Sequence, residues 1–304
     1  MSDETLSNVQ GKPESGKETP SSTSLARRIG LFVLFLACSL SVFLLGANYY
    51  KLFPTNGNTV YAGILSAVFL VATLQCRRSA RFHQYWQITY AFFVAGMVNL
   101  VSDLFAGYNS RILHWLGVAS GTNAEYALGK VYDTLLVVVT ILVLSKLAGA
   151  DLGTLFIKKG NHAWKWGVGI GSLLFINYLT SVLIFYGTGY SPDKLGSAIL
   201  WGVVFSFSNS FLEELWVRGL FLKKLVPLIG VAGAVILTST WFAAMHFISV
   251  AYLPAVVIPI FVINTFTMGL ACGILMVKTD SIWGAFLVHA AADLFLFIAT
   301  LAVH

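Results

Sequence analysis

Six ionisable side chains stand inside long apolar stretches in the last third of the chain: Glu213, Glu214 and Arg218 in FLEELWVRGL, His246 in WFAAMHF, and His289 with Asp293 in LVHAAADL. Ionisable groups at membrane depth are costly and by default mark a functional site. On a helix Glu214 and Arg218 are i, i+4 and can face each other as an ion pair, while Glu213 points about 100° away. Glu213 is thereby left free for chemistry. Ser206, Asn209 and Ser210 fall on its face and make a polar stripe suited to a water-filled cavity. His289 and Asp293 are also i, i+4, so a carboxyl group can reach an imidazole. A free carboxylate among imidazoles is equipment for general acid–base work, provided that the base is tuned towards the working pH.

The elements that carry these groups must bring them to one depth. With a hairpin turning near Pro227 to Gly230, Glu213 lies about 22 Å and His246 about 24 Å from the turn at 1.5 Å per residue. Glu213 is also about 15 Å above Lys223, and His289 about 13 Å above Asp280, by the same rise. The spacing predicts that they meet roughly halfway into a bilayer, at a site reached from the cytoplasmic leaflet.

Composition supports that setting. Of 304 residues, 57% are apolar and 11% charged, against about 25% charged in a soluble domain, which excludes an ordinary water-soluble globule. The net charge of +6 is no nucleic-acid signature, because the basic residues sit between apolar runs. The fold class is all-α, a polytopic membrane helical bundle. About nine stretches approach the roughly 20 residues that cross a hydrocarbon core: 29–50, 59–76, 84–107, 127–146, 165–187, 195–222, 231–248, 251–277 and 281–302. The stretches 231–248 and 251–277 are separated only around Ala251 to Pro254. Residues 1–25, rich in Ser, Thr, Glu, Lys, Pro and Gly, form a disordered cytoplasmic tail. Residues 26–164 hold N-terminal transmembrane helices without an assigned function, and 165–304 hold the motif-bearing core.

Arg27, Arg28, Arg77, Arg78, Arg81, Lys146, Lys158, Lys159, Lys165, Arg218, Lys223 and Lys224 fall on one side of these spans, and Lys51, Arg111, Lys130 and Lys194 on the other. The positive-inside rule puts the N-terminus in the cytoplasm. Cys38, Cys76 and Cys272 show no metal-type spacing and read as buried free thiols. FLAC at 35–38 faintly resembles a lipoprotein cleavage box, but the apolar run continues past it, so an uncleaved first helix is expected. Asp103, Lys130 and Asp133 lie near outer helix ends and read as structural, Lys130 with Asp133 as an i, i+3 pair. GVGIG at 167–171 reads as small-residue helix packing.

The three motifs EELWVR, FAAMH and HAAAD resemble the EExxxR, FxxxH and HxxxN/D signatures of the CPBP family. That is the CAAX protease and bacteriocin-processing group, also called Abi proteins, related to the type II CAAX prenyl endopeptidase. The resemblance covers roughly residues 165–302 and includes a Gly-rich penultimate helix (Gly269, Gly273) and SIWGAFLVH. It implies an intramembrane endopeptidase in which Glu213 is the general base that activates water and Glu214 and Arg218 shape the site. His246 would help hold that water, and His289 and Asp293 would stabilise the oxyanion; Phe242 and Asn209 would support the site. Asp293 stands where the prenyl endopeptidases have Asn. An ionised Asp cannot donate to an oxyanion, so His289 is expected to be the donor and Asp293 its supporting carboxylate.

Two readings of the same atoms stay open. Glu213, His246 and His289 could form a zinc site with an open fourth position, making Zn2+ a possible cofactor; no HExxH is present. A non-proteolytic membrane protein, either a bacteriocin-immunity or scaffold protein or a transporter, is the alternative function. A transporter would show internal repeats, and none is visible. The expected partners are membrane lipids and a lipidated or hydrophobic peptide substrate, with no nucleic acid. The expected location is a bacterial plasma membrane, or the endoplasmic reticulum in a eukaryote.

Overall fold

The computed structural model describes residues 24–47, 53–186, 192–247 and 257–301. These form α-helices with no strand among the described residues: α1 (Leu25–Ser39), α2 (Thr55–Arg78), α3 (Trp86–Phe105), α4 (Tyr108–Trp115), α5 (Asn123–Leu147), α6 (Trp164–Tyr186), α7 (Pro192–Glu213), α8 (Leu222–Phe247), α9 (Val257–Thr279) and α10 (Trp283–Leu301). Seven helical stretches are long and apolar enough to cross a membrane: Leu25–Leu45, Gly57–Arg78, His83–Phe105, Asn123–Leu147, Lys194–Gly219, Leu222–Phe247 and Phe261–Thr279. A shorter apolar helix runs Trp283–Ile298, and α6 has membrane-crossing length at 23 residues. The fold is thus an all-α polytopic bundle. Each of the nine expected spans has a helix; the short α4 lies in a stretch to which the sequence reading gave no element.

Apart from Ser24 and Leu25, the expected tail lies outside the described residues, as does the Ala251 to Pro254 separation. Leu25 already begins α1, whose first turn is capped by Ser24 Oγ accepting from the Arg27 amide at 3.3 Å.

Two helices widen into π-helical segments. α1 continues as Leu40–Leu45, where the Gly46 amide donates to the Ser41 carbonyl five residues back at 3.0 Å. α7 continues as Glu214–Gly219, where the Leu220 amide donates to the Leu215 carbonyl at 2.9 Å. A π turn loosens the ladder, and a buried carbonyl released by it needs another donor. Asn99 of α3, 6% exposed, supplies one by donating to the Val42 carbonyl at 2.7 Å. The two segments meet through aromatic rings: Phe43 lies 5.0 Å from Trp216 and 5.3 Å from Trp241 between ring centroids. Phe221, Phe92 and Phe69 extend this cluster towards α2.

The hairpin read at Pro227 to Gly230 corresponds to a break inside α8. Gly230 has φ 80° and ψ 167°, a conformation that a Cβ would strain, and it separates a short leading segment from the long span that ends at His246 and Phe247. The GVGIG run packs as small residues do. A Cβ on Gly284 of α10 would come within 2.8–2.9 Å of the Gly167 backbone, so the two backbones touch and fix the helix that carries His289. At the basic end of the bundle Asp280, between α9 and α10, is gripped by Lys158 and by Lys223 at 2.7 Å. Lys223 also donates to the Gly153 carbonyl at 2.6 Å.

Candidate active site

The site forms where the end of α7 passes α8 and α10. Glu214, Arg218 and His289 are each 0% exposed and locked to one another. Arg218 Nη1 donates to Glu214 Oε1 at 2.5 Å, and the same oxygen lies 2.8 Å from His289 Nδ1. A carboxylate can only accept, so Nδ1 carries a proton and presents Nε2 to the other side. Arg218 stacks its guanidinium 4.5 Å from the Phe242 ring centroid. That ring also stands edge-on to His289 at 5.5 Å and tilted against His246 at 4.4 Å. Phe242 is therefore the wall shared by the cation and both imidazoles.

Glu213 faces the other way. Its Oε2 is 3.6 Å from His246 Nε2 and 3.5 Å from His289 Nε2, beyond hydrogen-bond reach. Both Glu213 Oε2 and His289 Nε2 are buried without a hydrogen-bond partner among the described residues. His246 Nδ1 lies 2.9 Å from the Phe242 carbonyl, which can only accept, so its proton is on Nδ1 and Nε2 faces Glu213.

The structure places Asp293 differently from the supporting role read in the sequence. Its Oδ1 is 3.6 Å from His289 Nε2, not Nδ1, and the carboxylate that orients the ring through Nδ1 is Glu214. An i, i+4 pair constrains the approach but not which ring edge is met, and Glu214 arrives from another helix with the better geometry. Asp293 Oδ2 instead accepts from Asn209 Nδ2 at 3.0 Å. Of the polar stripe on α7, Asn209 alone is seen to reach across in this way. Ser206 and Ser210 turn their hydroxyls back onto the Gly202 and Ser206 carbonyls at 2.6 and 2.5 Å, as buried helical serines do when no neighbour offers a partner.

Glu213, His246 and His289 come together, but among the described residues no group of three or more His, Cys, Asp or Glu side chains is arranged to hold a metal ion. Both imidazole Nε2 atoms face one oxygen, Glu213 Oε2, at 3.6 Å for His246 and 3.5 Å for His289.

Glu213 lines a cavity of about 270 Å3 whose other walls include Asn58, Asn99, Asp103, Lys130 and Asp133. These belong to α2, α3 and α5, and they sit at the helix ends opposite Lys223 and Asp280. This cavity meets Glu213 from the side opposite Lys223, whereas depth alone gave access from the Lys223 side. The sequence had offered a signal, namely three ionisable residues and two asparagines near the ends of otherwise apolar spans. Asp103, Lys130 and Asp133 read as structural in the sequence because no motif contains them, and Asn58 and Asn99 carry no reading there.

Residues 195–295 match the family model described as type II CAAX prenyl endopeptidase Rce1-like. No curated protein and no solved structure matches the chain. The matched stretch contains Glu213, Glu214, Arg218, Phe242, His246, His289 and Asp293, the residues that assemble the site. Over residues 195–295 the chain is similar to the Rce1-like family of type II CAAX prenyl endopeptidases.

Proposed function

We propose that the chain hydrolyses a peptide bond near the C-terminus of a lipidated or membrane-embedded peptide, with water activated by Glu213. The observation that carries this reading is the pair of unpartnered buried atoms, Glu213 Oε2 and His289 Nε2, 3.5 Å apart with His246 Nε2 alongside. With His289 protonated on Nε2 as well, one water at about 2.8 Å from each would accept from His289 and donate to Glu213 and His246.

Glu213 takes a proton from that water as its oxygen attacks the scissile carbonyl carbon. His246 Nε2 holds the water in line. His289, when protonated on both nitrogens, donates from Nδ1 to Glu214 and from Nε2 to the developing oxyanion. Collapse of the tetrahedral species breaks the C–N bond, and Glu213 returns its proton to the leaving amine. Asp293, held by Asn209, keeps a carboxylate beside the His289 edge that faces substrate. By the positive-inside rule the basic Lys223 end and the N-terminus face the cytoplasm in this reading, with a plasma membrane as the proposed location.

The test is cleavage of a fluorogenic farnesylated C-terminal peptide in liposomes by wild type and Glu213→Gln, with an unprenylated control and a chelator arm. Cleavage by the wild type alone, indifferent to chelator, is expected. Loss of cleavage on chelation would move the mechanism to a metal. Turnover undiminished in Glu213→Gln would sink the glutamate reading.

A further inference from the structure

The cavity that meets Glu213 is walled largely by helices outside the matched family segment. Its charges are unequal in their commitments. Asp103 is already satisfied by Asn58 Nδ2 at 3.1 Å and by a hydrogen bond from Thr59 Oγ1. Lys130 is the one cation among the lining residues, and its contact with Asp133 is loose at 3.9 Å. The ammonium also lies 5.8 Å from the Phe205 ring centroid of α7. Thr134, one helical turn on from Lys130, donates to the Ser208 carbonyl at 3.0 Å and joins α5 to α7 at this level. Lys130 and Asp133 also line a second cavity, of about 430 Å3, with Asn109, Glu125 and Phe205. The pair thus stands on the threshold between an outer vestibule and the chamber of Glu213.

Distances along the helices fix the scale. The hydrogen bond from Thr134 to Ser208 marks a common level of α5 and α7, which run in the same direction. From that level Lys130 is about 6 Å towards the helix starts and Glu213 about 8 Å towards the basic end at 1.5 Å per residue. The offset of about 14 Å is the reach of about four extended residues at roughly 3.4 Å each. A substrate whose scissile carbonyl sits at Glu213 would carry its free carboxylate to Lys130 after a short C-terminal stub.

The side is fixed by charge. Arg27, Arg77, Arg78, Arg81, Lys146, Lys159 and Lys165 lie at the end away from this cavity, whereas the described basic residues at the cavity end are Arg111, Lys130 and Lys194. The positive-inside rule makes the cavity end extracytoplasmic.

Building on the peptidase reading above, we propose that Lys130 receives the substrate's C-terminal carboxylate, in a chamber that opens on the extracytoplasmic face. The loose partner Asp133 cedes the ammonium when the carboxylate arrives, and the leaving stub departs through the vestibule. This assigns a substrate-reading role to α5, and access from the face opposite to the one that depth alone suggests.

Binding by the full-length Glu213→Gln protein in liposomes tests the residue without depending on turnover. A membrane-embedded fluorescent peptide is compared as its free acid and its C-terminal amide, with Lys130 intact, Lys130→Met and Lys130→Arg. The acid is expected to bind about tenfold more tightly than the amide. Lys130→Met should erase that preference by weakening the acid alone, and Lys130→Arg should restore it. Equal affinities with Lys130 intact, or equal losses on acid and amide, would overturn the proposal. Cleavage by the Glu213-intact protein is a separate readout: its absence with acid preference preserved would count against the peptidase reading and leave Lys130 as an anchor. For the side, Cys38, Cys76 and Cys272 are replaced, and Ser102→Cys and Lys159→Cys are labelled with an impermeant maleimide in vesicles of known orientation. Labelling from opposite faces, Ser102→Cys from outside, is expected; labelling of Ser102→Cys from the cytoplasmic face refutes the assigned entrance.

Discussion

Glu213 and Glu214 are neighbours in sequence and opposites in environment. Glu214 has no exposed surface and spends one oxygen on Arg218 and His289, while the Glu213 side chain is 14% exposed and faces two imidazole nitrogens that it does not bond. The difference shows how one turn of helix divides labour. The inward residue fixes Arg218 and the His289 tautomer, and the residue about 100° around the helix inherits a positioned ring and a cavity. A buried ion network is weak evidence of net stabilisation, but removing one member leaves an uncompensated charge. Glu214 should therefore be indispensable to the fold and Glu213 dispensable to it.

Substitutions that neutralise one carboxylate at a time put this contrast at risk. Glu213→Gln should cost about 10²–10⁴-fold in turnover with an unchanged melting temperature in detergent; a large thermal shift would merge the two roles. Glu214→Gln should reverse the pattern, with about 3–5 kcal/mol lost from stability, read by denaturation, and activity falling with the folded fraction. Asp293→Asn sharpens the comparison at the His289 edge. If the charge matters, kcat falls about tenfold, the worth of one hydrogen bond to a charged group, with KM little changed; full activity would refute the need for it.

The smallest effect belongs to Asp280, outside the spans. Partial burial raises its carboxyl, but hydrogen bonds and charge from Lys158 and Lys223 win and hold it below the usual carboxylate value. A folded-state value below the unfolded one gives stability that is present above the ordinary carboxylate range and lost as pH falls through the folded value. Asp280 is about one-third exposed, so the effect should stay under about 1 kcal/mol. Melting curves of wild type and Asp280→Asn should separate near neutral pH and converge in acid; a constant gap would remove the ion pair as its cause.

Much of the scaffold was legible because apolar run length and basic loops report on the membrane directly. Glu213, His246 and His289 could be placed at one depth by counting residues, and the Glu214–Arg218 pair follows from helical spacing. Three things were not legible. The π segments depend on tertiary packing of Phe43 and Trp216, not on local propensity. The partner of His289 Nδ1 depends on which helix crosses it, so spacing within α10 favoured Asp293 over Glu214. The role of Asn58, Asp103 and Lys130 as cavity walls requires α2, α3 and α5 to be brought against α7, which no periodicity within a single span reveals.

The widened turns at 40–45 and 214–219 lean on each other through Phe43 and Trp216. Each behaves as a one-residue insertion in its helix. Deleting one residue from 214–219 would restore α geometry and rotate Glu213 by about 100° against everything that follows. Deleting one from 40–45 would swing Phe43 off Trp216 by the same angle and withdraw the support that keeps the second turn wide. The length of the first helix is thus coupled to the rotational phase of the helix that carries the glutamates. The two insertions are to be gained or lost together as the chain diverges.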